Sequence, residues 1–508
     1  MKFTCPLSSG PTAPIQTKPT KILGQMIGKD ATTTRSAAST KLKSRFLTAL
    51  SNIDSRPIRG EYKAWILKNY LAPSMFFHLA VDKVSDSVLK KLQSQATKLL
   101  KKWLTLPRSS TLSVLFHPFV MNFPHLPNLR DKAKLSLLAS IASSSDHLVR
   151  EASLLLSDGD FTRRQCIPEH IYPLLKAAKD SVDSLQLSTD PVATRALKAA
   201  AAKQLNTHNA AKWDAQLDGL QVQSKFKDIV TLESDCPVWN RIISGLPSKQ
   251  MSFVLRAGSD TLPTPLNLAR WKIQSNPHCP LCGSRNPTTL HILNSCVSAL
   301  NQGRYTWRHD SVLSCIVSWL TPTLGEDKCM YADLPGHRAS DSPPATIPTD
   351  ILSTSCRPDL FLCVGSTIKI LELTVCSNTV EGFSNARSRK QCKQRYIEMV
   401  GDLESRGYSV SYNTIEIGSL GHYTNLTLKA LCNFASKSLT KSECSKLLNN
   451  VAKISISCSH TIFLARESCE WDTSRRLFTL WLLYQFLPVC SCTGTIVFCI
   501  LVVVIALY

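Results

Sequence analysis

The sequence predicts a multidomain protein in which a long helical region precedes a small metal-binding segment and a compact α/β unit. Three observations support this α plus α/β fold class. Helical periodicity prevails from Thr40 to about Asp235, a Cys/His cluster lies within the Pro-punctuated residues 236–300, and the order strand, turn, strand, helix, strand follows over 357–418. The 508 residues are enough for about two to four domains. An uncharged segment ends the chain, and there we expect a hydrophobic C-terminal helix.

The clearest helix of the first region is SDSVLKKLQSQATKLLKKWLTLP, which ends at Pro107. Its apolar residues form one stripe: Val88, Leu89, Leu92, Ala96, Leu99, Leu100 and Trp103. Off that stripe lie Lys90, Lys91, Lys98, Lys101 and Lys102. A basic face of this kind can bind phosphates; the alternative is a solvated face over a core stripe. A second, Ala-rich helix is predicted from Val192 to about Leu205.

The formal net charge of +22 is spread along the chain, because Lys and Arg recur in most segments up to Arg476. This charge favours a polyanionic partner, most simply nucleic acid. The alternative is a soluble protein that is merely basic. Residues 1–18 are rich in Pro, Ser and Thr rather than apolar, so nothing in them indicates secretion.

The chain has 19 cysteines, and outside a secretory context most of them are expected to be reduced thiols. One group differs: CPLCGSRNPTTLHILNSC has the spacing Cys279-x2-Cys282-x8-His291-x4-Cys296. Three thiolates and an imidazole complete a tetrahedron around Zn²⁺, which is the pattern of a structural site. Gly283 follows the tight Cys-x-x-Cys turn, and His291 and Cys296 are expected to bracket a helical turn. Because no ligand position is open, the zinc is expected to fold the module rather than to catalyse.

Two carboxylates lie on the apolar, β-branched stretch RPDLFLCVGSTIKILELTV, which follows a Pro/Gly/Ser-rich segment (321–356) that predicts a loop. If Gly365-Ser366 is a two-residue hairpin turn, Asp359 and Glu372 lie directly opposite each other on one face of the ribbon. Two carboxylates at that distance repel each other unless a cation lies between them. The sequence therefore predicts a site for a divalent metal ion.

The next helix, predicted over about 384–405, places Lys393 on the same stripe as Ile397, facing the sheet. Lys390 lies one turn earlier on that stripe. A lysine beside two carboxylates can stabilise charge or assist the attacking water in phosphodiester hydrolysis. The alternative is a lysine that only pairs with Glu372.

After Arg476 the sequence LFTLWLLYQFLPVCSCTGTIVFCILVVVIALY carries no charge. Its last part, from Thr495 to Tyr508, is short, but extension back to Leu487 or Leu477 reaches membrane-spanning length. The prediction is a C-terminal membrane anchor. The alternative is a chance hydrophobic extension of the chain.

The motifs R-P-D (357–359), E-x-T (372–374) and K-x-x-Y (393–396) together resemble the restriction-like endonuclease of non-long-terminal-repeat retrotransposon polyproteins, of the type that inserts into ribosomal DNA. In that family the two acids bind the divalent metal, and the lysine comes from the following helix. Thr374 stands where the wider PD-(D/E)xK nucleases have lysine, in keeping with this family.

The resemblance extends upstream. RYTWRHDSVL (304–313) resembles the first helix of the nuclease, with Asp310 where the family usually has Asn. IISGLP (242–247) resembles the linker motif ahead of a zinc knuckle, and KPTKILGQMIG (18–28) resembles the end of a reverse-transcriptase palm. The sequence has no Asp-Asp dipeptide to hold polymerase metals, and YADL (331–334) has the wrong second residue, so polymerase activity is not expected.

The resemblance divides the chain into six segments. They are a remnant of the palm end (1–39), a helical thumb and linker (40–235), a linker with the Cys₃His knuckle (236–300), the restriction-like endonuclease (301–425), a helical C-terminal extension (426–475) and the hydrophobic tail (476–508).

The resemblance implies a DNA endonuclease in which Asp359 and Glu372 bind Mg²⁺ or Mn²⁺ while Lys393, with Lys390 beside it, assists catalysis. The alternative is an inactive nucleic-acid-binding remnant anchored by its tail.

The expected partners are a double-stranded DNA target, a template RNA and, through the tail, a membrane. Arg308, His309 and Arg357 are expected to contact the nucleic acid, together with the five lysines of the first helix. The resemblance implies a nuclear location, or a membrane location if the tail inserts.

Overall fold

The structure is a computed structural model that describes residues 4–7, 10–14, 18–22, 25–28, 30–144, 146–151, 167–183, 191–324, 328–334, 347–352, 356–435 and 438–472. It is mostly helical, with one four-stranded mixed sheet and two short hairpins. Two compact units are present. Unit 1 is Met1–Arg108, Leu115–Pro118 and Asn122–Gln216, and unit 2 is Ser109–Val114, Phe119–Met121 and Leu217–Tyr508.

Unit 1 begins with two antiparallel hairpins and continues with helices. The strands are β1 (Thr4–Leu7), β2 (Gly10–Pro14), β3 (Thr20–Ile22) and β4 (Gln25–Ile27). The helices are α1 (Ala31–Ser55), α2 (Gly60–Ile66), a π turn (Leu67–Leu71), α3 (Ala72–Ser74), α4 (Phe76–Val81), α5 (Asp86–Trp103), α6 (Ser113–Phe116), α7 (Leu126–Ala142), α8 (His147–Glu151), α9 (Ile171–Asp183) and α10 (Pro191–Asp218). The first two residues of α6 and the last two of α10 are assigned to unit 2.

Helix α5 forms as the sequence predicts, and Leu89, Leu92, Ala96, Leu100 and Trp103 of its stripe are buried. One polar residue, Gln93, is buried with them, because its side-chain oxygen accepts the Leu126 backbone N–H at 2.7 Å. The second predicted helix also forms, but it is longer than expected and ends at Asp218.

Unit 2 contains the predicted zinc ligands and the four-stranded sheet. Its helices are α11 (Phe226–Asp235), α12 (Val238–Ile242), α13 (Ser248–Gly258), α14 (Pro265–Arg270), α15 (Val297–Asn301), α16 (Arg304–Leu320), α17 (Val380–Gln391), α18 (Gln394–Ser405), α19 (Asn425–Ala435) and α20 (Lys441–Leu464). Short 3₁₀ turns lie at Gln223–Lys225, Ile243–Gly245 and Thr321–Thr323, and a π turn lies at His291–Ser295. Its strands are β5 (Lys328–Ala332), β6 (Leu360–Val364), β7 (Thr367–Cys376) and β8 (Ser409–Gly418).

The sheet has the order β5-β6-β7-β8, in which β5–β6 and β6–β7 are antiparallel and β7–β8 is parallel. The parallel crossover from β7 to β8 runs through α17 and α18. On one face of the sheet Phe361, Ile368 and Ile370 pack with Tyr396 and Met399 of α18. This face also carries Glu372, because side chains alternate along a strand.

Two expectations for unit 2 are wrong. The sequence predicts a loop over 321–356, but these residues include the edge strand β5. The helix expected over 384–405 is two helices, because α17 ends at Gln391 and α18 begins at Gln394.

The predicted hydrophobic C-terminal helix and membrane anchor at 476–508 lie outside the described residues. Across the residues that are described, no helix combines the length and the apolarity needed to cross a bilayer.

Candidate functional site

Four potential metal ligands converge in unit 2. One ligand atom from each of Cys279, Cys282, His291 and Cys296 lies within 4.8 Å of the others. Cys279 Sγ is 4.0 Å from Cys296 Sγ, and Cys282 Sγ is 3.3 Å from His291 Nε2. A zinc tetrahedron has edges of about 3.8 Å between sulfurs and about 3.6 Å between sulfur and nitrogen. The donor set and its spacing therefore fit one Zn²⁺, as the sequence predicts.

Local backbone structure explains why these four ligands converge. The Gly283 N–H donates to Cys279 O at 2.9 Å, and Gly283 has φ +72°, a left-handed conformation that glycine adopts without strain. A π turn at His291–Ser295 then carries the chain from the imidazole to the last cysteine. Burial raises the pKa of the Cys296 thiol to about 11, so its thiolate requires a bound cation at neutral pH.

Helix α16 holds the zinc module in place. The Tyr305 hydroxyl accepts the Cys296 backbone N–H at 3.1 Å and donates to Ile292 O at 2.9 Å. One turn later, Arg308 Nη2 donates to Asn294 Oδ1 at 3.2 Å. The same helix therefore contacts the zinc-ligand turn and, at its next residue, the sheet.

The second site is the carboxylate pair at the β6–β7 hairpin. Gly365 has φ +55° in a two-residue turn, and the register pairs Leu360 with Leu371 and Val364 with Thr367. This is the register predicted from the sequence. It places Asp359, one residue before β6, opposite Glu372.

Both carboxylates are removed from solvent, since Asp359 is 9% exposed and Glu372 is fully buried. The Asp359 N–H donates to Glu372 Oε1 at 3.2 Å, and the Leu373 N–H donates to Asp359 Oδ2 at 2.7 Å. Burial and the neighbouring Asp359 raise the pKa of Glu372. Asp359 is desolvated as well, but His309 and Lys390 lower its pKa below the usual range.

Lys390 is the lysine that reaches the pair. Its Nζ lies 3.5 Å from Asp359 Oδ2 and forms a close ion pair with Glu372 Oε2. The two carboxylates are therefore near enough to share one cation. Lys390 lies in the last turn of α17, and the Tyr412 hydroxyl donates to its backbone oxygen at 3.0 Å.

Lys393, which the resemblance selects as the catalytic lysine, lies at the break between α17 and α18. Its Nζ is 5.2 Å from the centre of the Tyr396 ring, rather than in an ion pair with either acid. The helix face on which the sequence placed Lys393 and Ile397 does not pack against the sheet, because Ile397 is 53% exposed while Tyr396 and Met399 are buried. Of the four predicted catalytic groups, Asp359, Glu372 and Lys390 are thus brought together, and Lys393 forms no ion pair with them.

His309 lies at the other edge of the pair. Its Nε2 is 3.5 Å from Asp359 Oδ1, and its Nδ1 is 3.0 Å from Asp310 Oδ1. Burial disfavours the charged imidazole, but Asp310 and Asp359 outweigh it and raise the pKa of His309 to about 9. His309 thus holds an acid of the site, rather than pointing only toward nucleic acid.

Arg308 is buried, although the sequence predicts that it contacts nucleic acid. Its side chain is 1% exposed, and its Nη1 donates to Ser459 Oγ at 3.0 Å while Nη2 binds Asn294. Burial lowers its pKa to about 10. Because it lies in the core of unit 2, Arg308 is unable to contact a nucleic-acid backbone in this structure.

Asp333 is a site residue that the sequence did not reveal. Its N–H donates to Asp359 O at 3.1 Å, so it extends the row of acids onto the end of β5. Burial, together with Asp359 and Asp310, raises the pKa of Asp333 against the opposing effect of Arg357. Arg357 is exposed at the mouth of this row, 3.9 Å from Asp333 Oδ1. The signal in the sequence was the segment YADL (331–334), in which Asp333 directly follows the end of β5.

The lysines of α5 belong to unit 1. Lys90, Lys91, Lys98 and Lys102 are exposed, and Lys102 pairs with Asp54 at 3.0 Å. Lys101 differs, because its Nζ donates to Arg108 O at 2.7 Å and burial lowers its pKa.

A closed Cys₃His centre built on a knuckle and a helical turn defines a structural zinc-binding module. Residues 221–302 match the family described as zinc-binding in reverse transcriptase. The match is consistent with a retrotransposon origin; it covers the zinc module and the helices before it, and it stops short of the carboxylate pair. No curated protein matches the chain.

Proposed function

We propose that unit 2 is a metal-dependent DNA endonuclease of the retrotransposon type, in which a zinc-binding module adjoins the cleavage site. The observation that carries the proposal is the contact of one Lys390 nitrogen with both Asp359 and Glu372. Carboxylate oxygens are the ligands that Mg²⁺ and Mn²⁺ prefer, and oxygens of two different carboxylates reach one cation here.

In this proposal Asp359 and Glu372 would hold Mg²⁺ or Mn²⁺. The bound metal would polarise a phosphate oxygen and lower the pKa of the attacking water. The Asp359 and Leu373 backbone N–H groups keep the carboxylates in place, and His309 holds the outer oxygen of Asp359. Lys390 supplies positive charge for the phosphodiester.

Nucleic-acid binding would spread beyond the cleavage site. Arg357, the exposed Arg285 of the zinc module and the exposed lysines of α5 supply positive charge for a DNA target or a template RNA. Because phosphate contacts release counterions, such binding would weaken steeply as salt rises.

A second candidate function is a binding remnant without turnover. It is favoured by the partners of the acids: each of the four oxygens of Asp359 and Glu372 already meets a protein donor. Such an ion-pair cluster is stable without a metal. Binding of nucleic acid would then be the remaining activity.

Plasmid nicking by the zinc-loaded chain with Mg²⁺ or Mn²⁺ separates the two candidates. The matched variants are Glu372→Gln, which removes one acid, and Glu398→Gln, which removes an exposed acid of α18. Nicking that is lost only in Glu372→Gln supports the endonuclease. Salt-sensitive DNA binding without nicking supports the binding remnant.

A further inference from the structure

The four oxygens of the acid pair have different kinds of partner. Two of them accept backbone N–H groups, from Asp359 and Leu373, and these donors are fixed by the hairpin. A third faces His309. Among the described residues, the side chain that contacts both carboxylates is Lys390.

We infer that the Lys390 ammonium occupies the position at which a divalent cation binds Asp359 and Glu372, so that lysine and metal exclude each other. The inference rests on the proposed function. The backbone donors are unable to leave without breaking the hairpin. Of the two positions held by side chains, that of His309 touches Asp359, whereas that of Lys390 is shared by both carboxylates. Two cations at one point would repel each other with little solvent to screen them.

The surroundings of Lys390 allow this exchange. Its side chain is 24% exposed, so a path to solvent is open, while its backbone oxygen stays bound to the Tyr412 hydroxyl. The long, flexible stem of a lysine can carry the ammonium outward without movement of the helix. A phosphodiester at the mouth of the site would then receive the displaced charge.

A consequence is that metal and DNA assist each other's binding. DNA stabilises the outward ammonium, which leaves the carboxylates free for the metal; by linkage, the metal raises the affinity for DNA by the same factor. Lys390 thereby keeps the acid pair neutralised until both cation and substrate are present.

The experiment is calorimetric titration of Mn²⁺ into the full-length, zinc-loaded chain, compared with Lys390→Met, Lys390→Gln and the control Lys393→Met. Asp359→Asn, alone and combined with Lys390→Met, identifies the binding that depends on the acid pair. Lys390→Gln retains a hydrogen-bond donor, so one variant remains usable if Lys390→Met unfolds.

We expect Lys390→Met and Lys390→Gln to bind Mn²⁺ at least about tenfold more tightly than the wild type. Lys393→Met should tighten binding by no more than about twofold, because its ammonium acts on the acids only at longer range and forms no ion pair with them. An affinity that is unchanged or weaker in the Lys390 variants would overturn the inference while leaving the endonuclease standing. Absence of Asp359-dependent Mn²⁺ binding in every variant would overturn the proposed function itself.

Discussion

The backbone N–H of Asp359 donates to the Glu372 side chain at 3.2 Å, and in return the backbone next to Glu372 donates to the Asp359 side chain at 2.7 Å. This reciprocal bonding means that the hairpin itself positions the acids. A slip of the register by one residue would turn one of them to the opposite face of the sheet. The geometry of the pair therefore depends on the turn at Gly365-Ser366, some distance along the ribbon.

Substitution of Lys390 should reduce DNA cleavage far more than substitution of Lys393. Because Lys390 is the lysine in contact with the acids, Lys390→Met should reduce nicking by about a hundredfold or more, even at saturating Mn²⁺. Lys393→Met should reduce it by only a few-fold, because its ammonium lies at the Tyr396 ring rather than in an ion pair with either acid. Initial rates of plasmid nicking measure both. A larger decrease in Lys393→Met than in Lys390→Met would show that Lys393 is the catalytic lysine, as the sequence resemblance implies.

The sequence was sufficient where local chemistry determines geometry. A two-residue turn containing glycine defines the register of its hairpin, and the Cys/His spacing defines a zinc tetrahedron, so both could be predicted. The sequence was insufficient where tertiary packing determines which face of a helix is buried. Two stripes on α18 are compatible with its apolar pattern, and the stripe with the larger residues, Tyr396 and Met399, is the one that is buried.

The break after Gln391 and the burial of Arg308 have no comparable signal. A helix that runs through Cys392 and one that stops there have similar propensities, and tertiary packing makes the difference. An arginine beside a histidine on a helix resembles a phosphate-binding pair whether it faces solvent or the core. Because of this break, Lys390 rather than Lys393 pairs with the acids, and the sequence had named both lysines as candidates without ranking them by contact.

Arg308 should contribute to stability rather than to DNA binding. Arg308→Ala leaves Asn294 and Ser459 without their arginine donor and opens a cavity, at a cost of about 3 kcal/mol in the free energy of unfolding. Arg308→Met should cost less, because it fills the volume and removes a buried charge whose hydrogen-bond partners, Ser459 and Asn294, are neutral. Urea unfolding measures both. Wild-type stability with weakened DNA binding in Arg308→Ala would indicate a surface role.

Zinc removal should destabilise unit 2. The thiolates need a cation, and α16 is tied to the zinc-ligand turn through Tyr305. Chelation should therefore lower the unfolding temperature by about 5 °C or more. Cys282→Ser should lose the bound zinc, whereas Cys392→Ser, at an exposed cysteine outside the cluster, should retain it. Metal content by emission spectroscopy and thermal melts provide the test. Equal zinc content in both variants would contradict the assigned ligands.

The exposed lysines of α5 should appear in the salt dependence of nucleic-acid binding. If Lys90, Lys91 and Lys98 bind phosphates, changing all three to Gln should reduce the slope of log affinity against log salt by about 1 for each phosphate that is no longer neutralised. The control changes Lys429, Lys441 and Lys446, which are exposed in unit 2. Filter binding at several salt concentrations measures the slope. Equal slopes in the two triple variants would assign the α5 lysines to a solvated face.

His125 should make unit 1 sensitive to acid. Its ring lies 5.4 Å from Phe116 and 5.3 Å from Trp213, and burial lowers its pKa from 6.5 to about 4. Because the unfolded chain binds the proton more readily, stability present above pH 6.5 is lost as the pH falls toward about 4, up to about 3 kcal/mol. His125→Phe removes the titrating group and should flatten the decline across that window. Urea unfolding followed by circular dichroism at several pH values tests this, and parallel declines in variant and wild type would place the acid sensitivity at other groups.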